Sequence, residues 1–101
     1  MNDFGLKIKA LREKRNEPLR IVAFHLDIDQ AILSKIENGK KAATREQVLS
    51  IAKYYEVSDK DLIVDWLSDK IIYEIKDEQY GVDALKVAEK RVIYLKKENH
   101  D

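Results

Sequence analysis

This sequence predicts an all-α fold, and three observations predict it. Only three glycines and one proline punctuate the 101 residues, too few for the turns of a sheet protein. Apolar residues recur at intervals of three and four, the repeat of one helix face, rather than alternating. A content of 45% hydrophobic and 38% charged residues fits a helical protein with a charged exterior and argues against a disordered chain.

Taken in order, Phe4, Ile8 and Leu11 stand at i, i+4 and i+7 on a first helix ending near Arg15. Asn16 can adopt the left-handed conformation that closes it. Pro18 suits a helix start, and Leu19, Val22, Ala23 and Leu26 repeat the spacing through a short second helix. The stretch LDIDQ breaks it. Asp27 tolerates left-handed dihedrals, Asp29 can cap the next helix, and Ile28 is placed as an apolar staple. A third helix then runs from about Gln30 to Asn38 with Leu33 and Ile36 inward, and Gly39 supplies its terminal left-handed residue.

Thr44 and Gln47 have the spacing of a capping box, opening a fourth helix that buries Val48, Ile51, Ala52 and Tyr55. Ser58, with Asp61 three residues on, opens a fifth that passes Trp66 and Leu67 towards Ile75. Residues 76–81, KDEQYG, read as a bend. Beyond it Leu85, Ala88, Val92 and Leu95 form a 3-4-3 seam on a last helix. No internal repeat or low-complexity segment interrupts the chain.

The length fits one small domain with an appended element. A chain this short buries only about two thirds of its unfolded surface, which favours self-association. Cysteine is absent, so disulfides, thiolate zinc sites and thiol catalysis are excluded, and a reducing compartment is suited. No apolar run approaches the roughly 20 residues of a membrane span, and the N-terminus lacks the apolar run of a signal peptide. The expectation is a soluble cytoplasmic protein that does not enter membranes. His25 and His100 are far apart, and neither a metal-ligand spacing nor a glycine-rich phosphate loop occurs. No enzyme activity, metal or cofactor is predicted.

The formal net charge is zero, yet residues 1–57 carry 11 Lys and Arg against 8 Asp and Glu, or +3, whereas residues 58–101 carry 8 against 11, or −3. That asymmetry permits a nucleic-acid partner without requiring one. A stronger pointer is the pair of short helices spanning residues 19–38. Two such helices joined by a tight turn, the second apolar inside and polar outside, let the first cross a phosphate backbone while the second enters the major groove.

Residues 6–62 resemble the phage-repressor and Cro (Xre-like) type of helix-turn-helix domain found in bacterial regulators. LREKRN, ILSKIENGKK and VLSIAKYYEVSDKDL carry the likeness, in register and with matching helix lengths. The resemblance implies a five-helix domain, usually dimeric, that binds an inverted-repeat operator and regulates transcription. It places Gln30, Ala31, Ile32 and Lys35 at the base-reading positions. Gln can bond bidentately to adenine, Lys to guanine acceptors, and Ala or Ile can pack on a thymine methyl. It assigns Asn38, Lys40, Lys41 and Thr44 to a loop whose amides and side chains hold phosphates. It also implies an ion pair between Arg12 and Glu37 with a structural role.

This chain departs from the family pattern at several positions. Pro18 and Leu19 replace a capping serine and a phosphate-holding glutamine, and Glu17 replaces a common core leucine. Asp27 stands where the turn usually has glycine, and Ile32 where the surface is usually polar.

Plainer readings exist for each site. Taken alone, Lys40 and Lys41 would be solvated charges, and Ala31 a good helix former. Ile32 fits a thymine-methyl contact or a protein interface equally well. Trp66, Leu67, Ile71, Ile72, Tyr73 and Ile75 are too wide an apolar surface for a helix facing one small core. The expected homodimer interface takes Trp66, Ile72, Leu85, Ala88, Val92 and Leu95, and an intramolecular lid is the alternative. Residues 1–67 are thus expected to bind double-stranded DNA and residues 68–101 to mediate association. The competing function is a protein-interaction module, such as an antitoxin or anti-regulator, whose helix-turn-helix face is adapted to a toxin or another regulator.

Overall fold

The computed structural model describes residues 3–99 and contains six helices and no strand among them. They are α1 (Asp3–Lys14), α2 (Leu19–Leu26), α3 (Gln30–Glu37), α4 (Arg45–Tyr55), α5 (Asp59–Ile75) and α6 (Gly81–Glu98). His100 lies outside the described residues. Contact density divides the chain into two compact units, Met1–Asp69 and Lys70–Asp101.

In the first unit the helix ends are set by local chemistry. α1, α2, α3 and α4 all close by the same device, a left-handed residue followed by two backbone bonds folding back onto the last turn. Those residues are Asn16 (φ 55°), Asp27 (φ 54°), Gly39 (φ 74°) and Glu56 (φ 55°). At α3, for example, Gly39 N–H donates to Ile36 O at 3.2 Å and Lys40 N–H to Lys35 O at 2.8 Å. This pair of bonds satisfies carbonyls that a helix end otherwise leaves orphaned.

The starts are capped as well. Asp29 Oδ1 accepts from Ala31 N–H at 2.8 Å and Ile32 N–H at 3.4 Å. Thr44 and Gln47 form a reciprocal capping box at 3.1 and 2.9 Å. The Ser58 hydroxyl accepts from Asp61 N–H at 3.2 Å. Pro18 precedes α2 as its N-cap, without a side-chain bond. The cap of α1 comes from far along the chain: the Asp69 carboxylate accepts from Asp3 N–H at 3.1 Å and Phe4 N–H at 3.0 Å. Lys7 pairs with Asp65 one turn earlier on α5. Two carboxylates spaced i, i+4 on α5 thereby hold the start of α1, where the helix dipole favours negative charge.

The core gathers Phe4 and Ile8 of α1, Val22 and Ala23 of α2, Leu33 and Ile36 of α3, and Val48, Ile51, Ala52 and Tyr55 of α4, with Leu62 and Trp66 of α5. Each fully buried aliphatic side chain contributes roughly 1.5–3 kcal/mol relative to exposure. α3 packs against α1 and α2, and α2 also against α4, so α3 is held from behind on two sides.

Trp66 corrects an expectation. Rather than facing a second subunit it is 7% exposed, its indole N–H donates to Ala43 O at 2.8 Å, and the Arg45 guanidinium lies 5.2 Å from its ring centroid. Its large apolar body is already covered by the first unit, and its one polar atom already has an acceptor there.

In the second unit Gly81 is the first residue of α6 rather than the end of the bend. A Cβ there would stand 2.6 Å from Ile75 O, so only glycine allows the turn to close this tightly. Gly81 is also the unit's one buried residue among those described.

Candidate nucleic-acid interface

α3 is eight residues long, and its two faces differ sharply. Leu33 and Ile36 are each 1% exposed and Glu37 4%, so three residues of the last five anchor it. On the far side Ala31 and Lys35, one turn apart, are exposed, as are Gln30 at the first turn and Asn38 at the C-cap. Ile32 is half-buried against the core, because its direction falls beside Ile36 rather than opposite it. Of the four residues assigned to base reading, three stand free of the core and one shows only an edge.

What holds this flank in place is the Glu37 carboxylate. Arg12 Nε donates to Glu37 Oε2 at 2.8 Å and Nη2 to Oε1 at 3.0 Å, while Nη1 reaches Glu17 O at 3.1 Å. The hydrogen bonds to Glu37 raise the affinity of Arg12 for its proton. A bidentate pair fixes orientation as well as distance, so α1 grips the end of α3 and sets its rotation.

The loop after α3 differs from the expectation that its amides hold phosphate. The N–H groups of Asn38, Gly39, Lys40 and Lys41 all donate inward, to Ser34, Ile36 and twice to Lys35 carbonyls. Closing the helix occupies the donors that an anion would need. Thr44 N–H is likewise bound to Gln47 Oε1, and its hydroxyl accepts from Gln47 N–H. The side chains of Lys40 and Lys41 remain exposed, and the Thr44 hydroxyl keeps its own proton to donate.

Charge is polarised along α3. Asp27 and Asp29 stand at its start, with the Asp29 carboxylate filling the first-turn donors, while Lys35, Lys40 and Lys41 cluster at its end. Phosphate attraction therefore concentrates at the C-terminal end of the helix, and the N-terminal end repels it.

Sequence reasoning missed three groups. Ser34 lies on the outer stripe with Ala31, Lys35 and Asn38; its hydroxyl receives Asn38 Nδ2 at 3.5 Å and has a proton to offer, a role its spacing already implied. Phe24 on α2 is 79% exposed and meets His25 edge to face at 5.5 Å; it lies off the Leu19–Val22–Ala23–Leu26 stripe, which was the available signal. Together with Ala23, Asp27, Ile28 and Asp29 it lines an open depression of about 310 Å³. Glu17, replacing a core leucine, accepts a hydrogen bond from the Tyr54 hydroxyl and so raises the Tyr54 pKa. No sequence signal linked those two residues.

Among the described residues no helix is long and apolar enough to cross a membrane, and no group of three or more His, Cys, Asp or Glu residues is placed to hold a metal ion.

The family described as "Helix-turn-helix domain" matches residues 5–64, which is more than half of the chain and contains most of α1 and the whole of α2, α3 and α4. The chain belongs to that family, in its phage-repressor-like form. A solved structure of the clp gene regulator ClgR from Corynebacterium glutamicum is similar to it, with a TM-score of 0.58 and 19% identity over 98% of this chain and 92% of that one. At that identity the likeness is one of fold. No curated protein matches the chain.

Proposed function

We propose that the chain is a transcription regulator that binds an inverted-repeat operator in double-stranded DNA as a homodimer. The observation that carries this is the outer flank of α3: Gln30, Ala31 and Lys35 stand exposed on a helix whose other face is locked by Leu33, Ile36 and the Arg12–Glu37 pair. A rigid helix with free polar side chains is what insertion into a major groove requires. Gln30 has the chemistry to pair with adenine and Lys35 with guanine, and Ala31 and the edge of Ile32 to touch thymine methyls. Lys40, Lys41, Asn38 and Thr44 would act on phosphates through side chains, supplying affinity that is independent of sequence and sensitive to salt.

In this reading residues 1–67 meet the DNA and residues 68–101 associate two copies. A twofold axis spaces two reading helices by about 34 Å, one turn of duplex. Occupancy of a promoter would then regulate transcription. Selection of bound sequences from a random duplex pool at two salt concentrations tests all of this together. A palindromic consensus that sharpens as salt rises is the expected result, and an unenriched pool at both concentrations overturns the proposal.

One observation favours a second reading, in which the helix-turn-helix face serves a protein partner such as a toxin or another regulator. Phe24, 79% exposed beside Asp27 and Asp29, offers an apolar and acidic surface that suits a polypeptide better than a phosphate backbone. That reading predicts no duplex binding even at low salt, together with a stable hetero-complex lost on Phe24→Ala.

A further inference from the structure

Taken alone, the second unit has no core. Of its described residues Gly81 is buried, Ile75 is half-buried, and every other one is exposed. An 18-residue helix without tertiary packing is marginal in water, because helices in proteins draw most of their stability from a covered apolar face.

α6 has two such faces to cover. One is the seam of Leu85, Ala88, Val92 and Leu95. The other is Val87 and Tyr94, seven residues apart and exposed by 55% and 62%, with the Tyr80 ring, 69% exposed, at the N-cap seven residues before Val87. Two stripes on one helix call for two neighbouring helices. A second copy of the same two-helix segment supplies two, which a single docked peptide would not.

Area and charge point to the same occupant. Residues 70–99 hold eleven large apolar side chains exposed by 40–76%, each leaving on the order of 90 Å² of apolar surface open to be covered. Together they offer on the order of 1,000 Å², comparable with the roughly 800 Å² per partner of a stable association. Residues 70–101 carry 7 Lys and Arg against 7 Asp and Glu. A neutral segment does not repel its own copy, and it has no excess charge to draw nucleic acid or an anionic membrane.

We infer that residues 70–98 pair with the same segment of a second copy, and that formation of α6 and association are one event. This deepens the homodimer reading above and rests on it, but it does not require DNA. On dilution the chain separates into monomers whose first unit stays folded while α6 loses its helix. Protein concentration then controls whether two reading helices are presented together.

Sedimentation velocity and far-ultraviolet circular dichroism of the full chain, followed from roughly 0.1 to 100 μM, test this, because the order of an obligate assembly depends on protomer concentration. The expected result is a mass that halves on dilution together with a loss of about a quarter of the helical ellipticity, since α6 supplies 18 helical residues beside 12, 8, 8, 11 and 17 from α1 to α5. The double variant Leu85→Glu/Val92→Glu should be monomeric and short of that ellipticity throughout, with the Trp66 fluorescence of the first unit unchanged. Tyr94→Glu, on the other stripe, provides the same readout if the double variant does not fold. A wild-type chain that stays monomeric over the range, or a monomer that keeps its full ellipticity, overturns the inference. A chain that dimerises and orders α6 together yet selects no duplex sequence sustains it and overturns the DNA reading instead.

Discussion

Arg12 holds both carboxylate oxygens of Glu37, at 2.8 and 3.0 Å, across 25 residues of sequence, and the Glu37 side chain is 4% exposed. This contact ties α1 to the last turn of α3. Removing the guanidinium leaves a buried carboxylate without its partner, which typically costs about 3–5 kcal/mol. Arg12→Ala should therefore lose most of the domain's stability in urea unfolding. Arg12→Lys, which keeps the charge but lacks the fork, should recover only part. A loss below about 1 kcal/mol, the range of exposed pairs, would show that water replaces the arginine.

Glu56 ends α4 at φ 55°, a conformation that strains any residue with a Cβ by roughly 1–2 kcal/mol. Its replacement by glycine relieves the strain at some cost in unfolded-chain entropy. Glu56→Gly should raise the denaturation midpoint, by roughly 0.5–1 kcal/mol in stability, without touching the α3 face. An unchanged or lowered midpoint would contradict this account of the helix end.

Lys35 and Lys40 sit at opposite ends of one hydrogen bond, the Lys40 N–H on the Lys35 carbonyl, yet their side chains should act differently on DNA. Lys35→Ala should alter the preferred base at one operator position. Lys40→Ala should weaken all sequences alike and lower the salt slope by roughly one unit. Binding titrations on matched and scrambled duplexes check both, and uniform loss in both variants would refute the base-reading role of Lys35.

Burial, with the nearby Glu17 and Glu37 charges, keeps the Tyr55 phenol protonated well above its ordinary range. The unfolded chain releases the same proton near pH 10. Above that pH the unfolded state binds fewer protons than the folded one, so stability falls as pH rises. Tyr55→Phe should flatten the fall between about pH 10 and 12. Part of it should remain, because Tyr54 and Lys7 also have raised pKa values and contribute with the same sign. Equal alkaline slopes in the two proteins would count against Tyr55 as the main group.

The features legible in the sequence are those encoded within a turn or two of chain. The Thr44–Gln47 box, the Asp29 cap and the left-handed closures at Asn16, Asp27 and Gly39 each need only neighbours three to five residues away, so spacing and residue type suffice to place them. The outward direction of Ala31 and Lys35 follows from the same helical repeat once Leu33 and Ile36 are assigned inward. Glu56 closes α4 equally well, but glutamate has no special preference for that conformation and carries no signal.

Which apolar residue goes where lies beyond that local range. On α5, Trp66 and Leu67 are adjacent and both apolar, and nothing near them in the chain tells that the tryptophan completes the core while leucine stays 40% exposed. The Asp69 carboxylate caps α1 from 65 and 66 residues away, and Glu17 finds the Tyr54 hydroxyl across 37. Such pairings arise because packing brings distant segments together, and a buried group must then bond to whatever lies opposite it. Periodicity assigns a side chain to a face of its helix, whereas the surface that meets that face is determined by the packing of the whole chain.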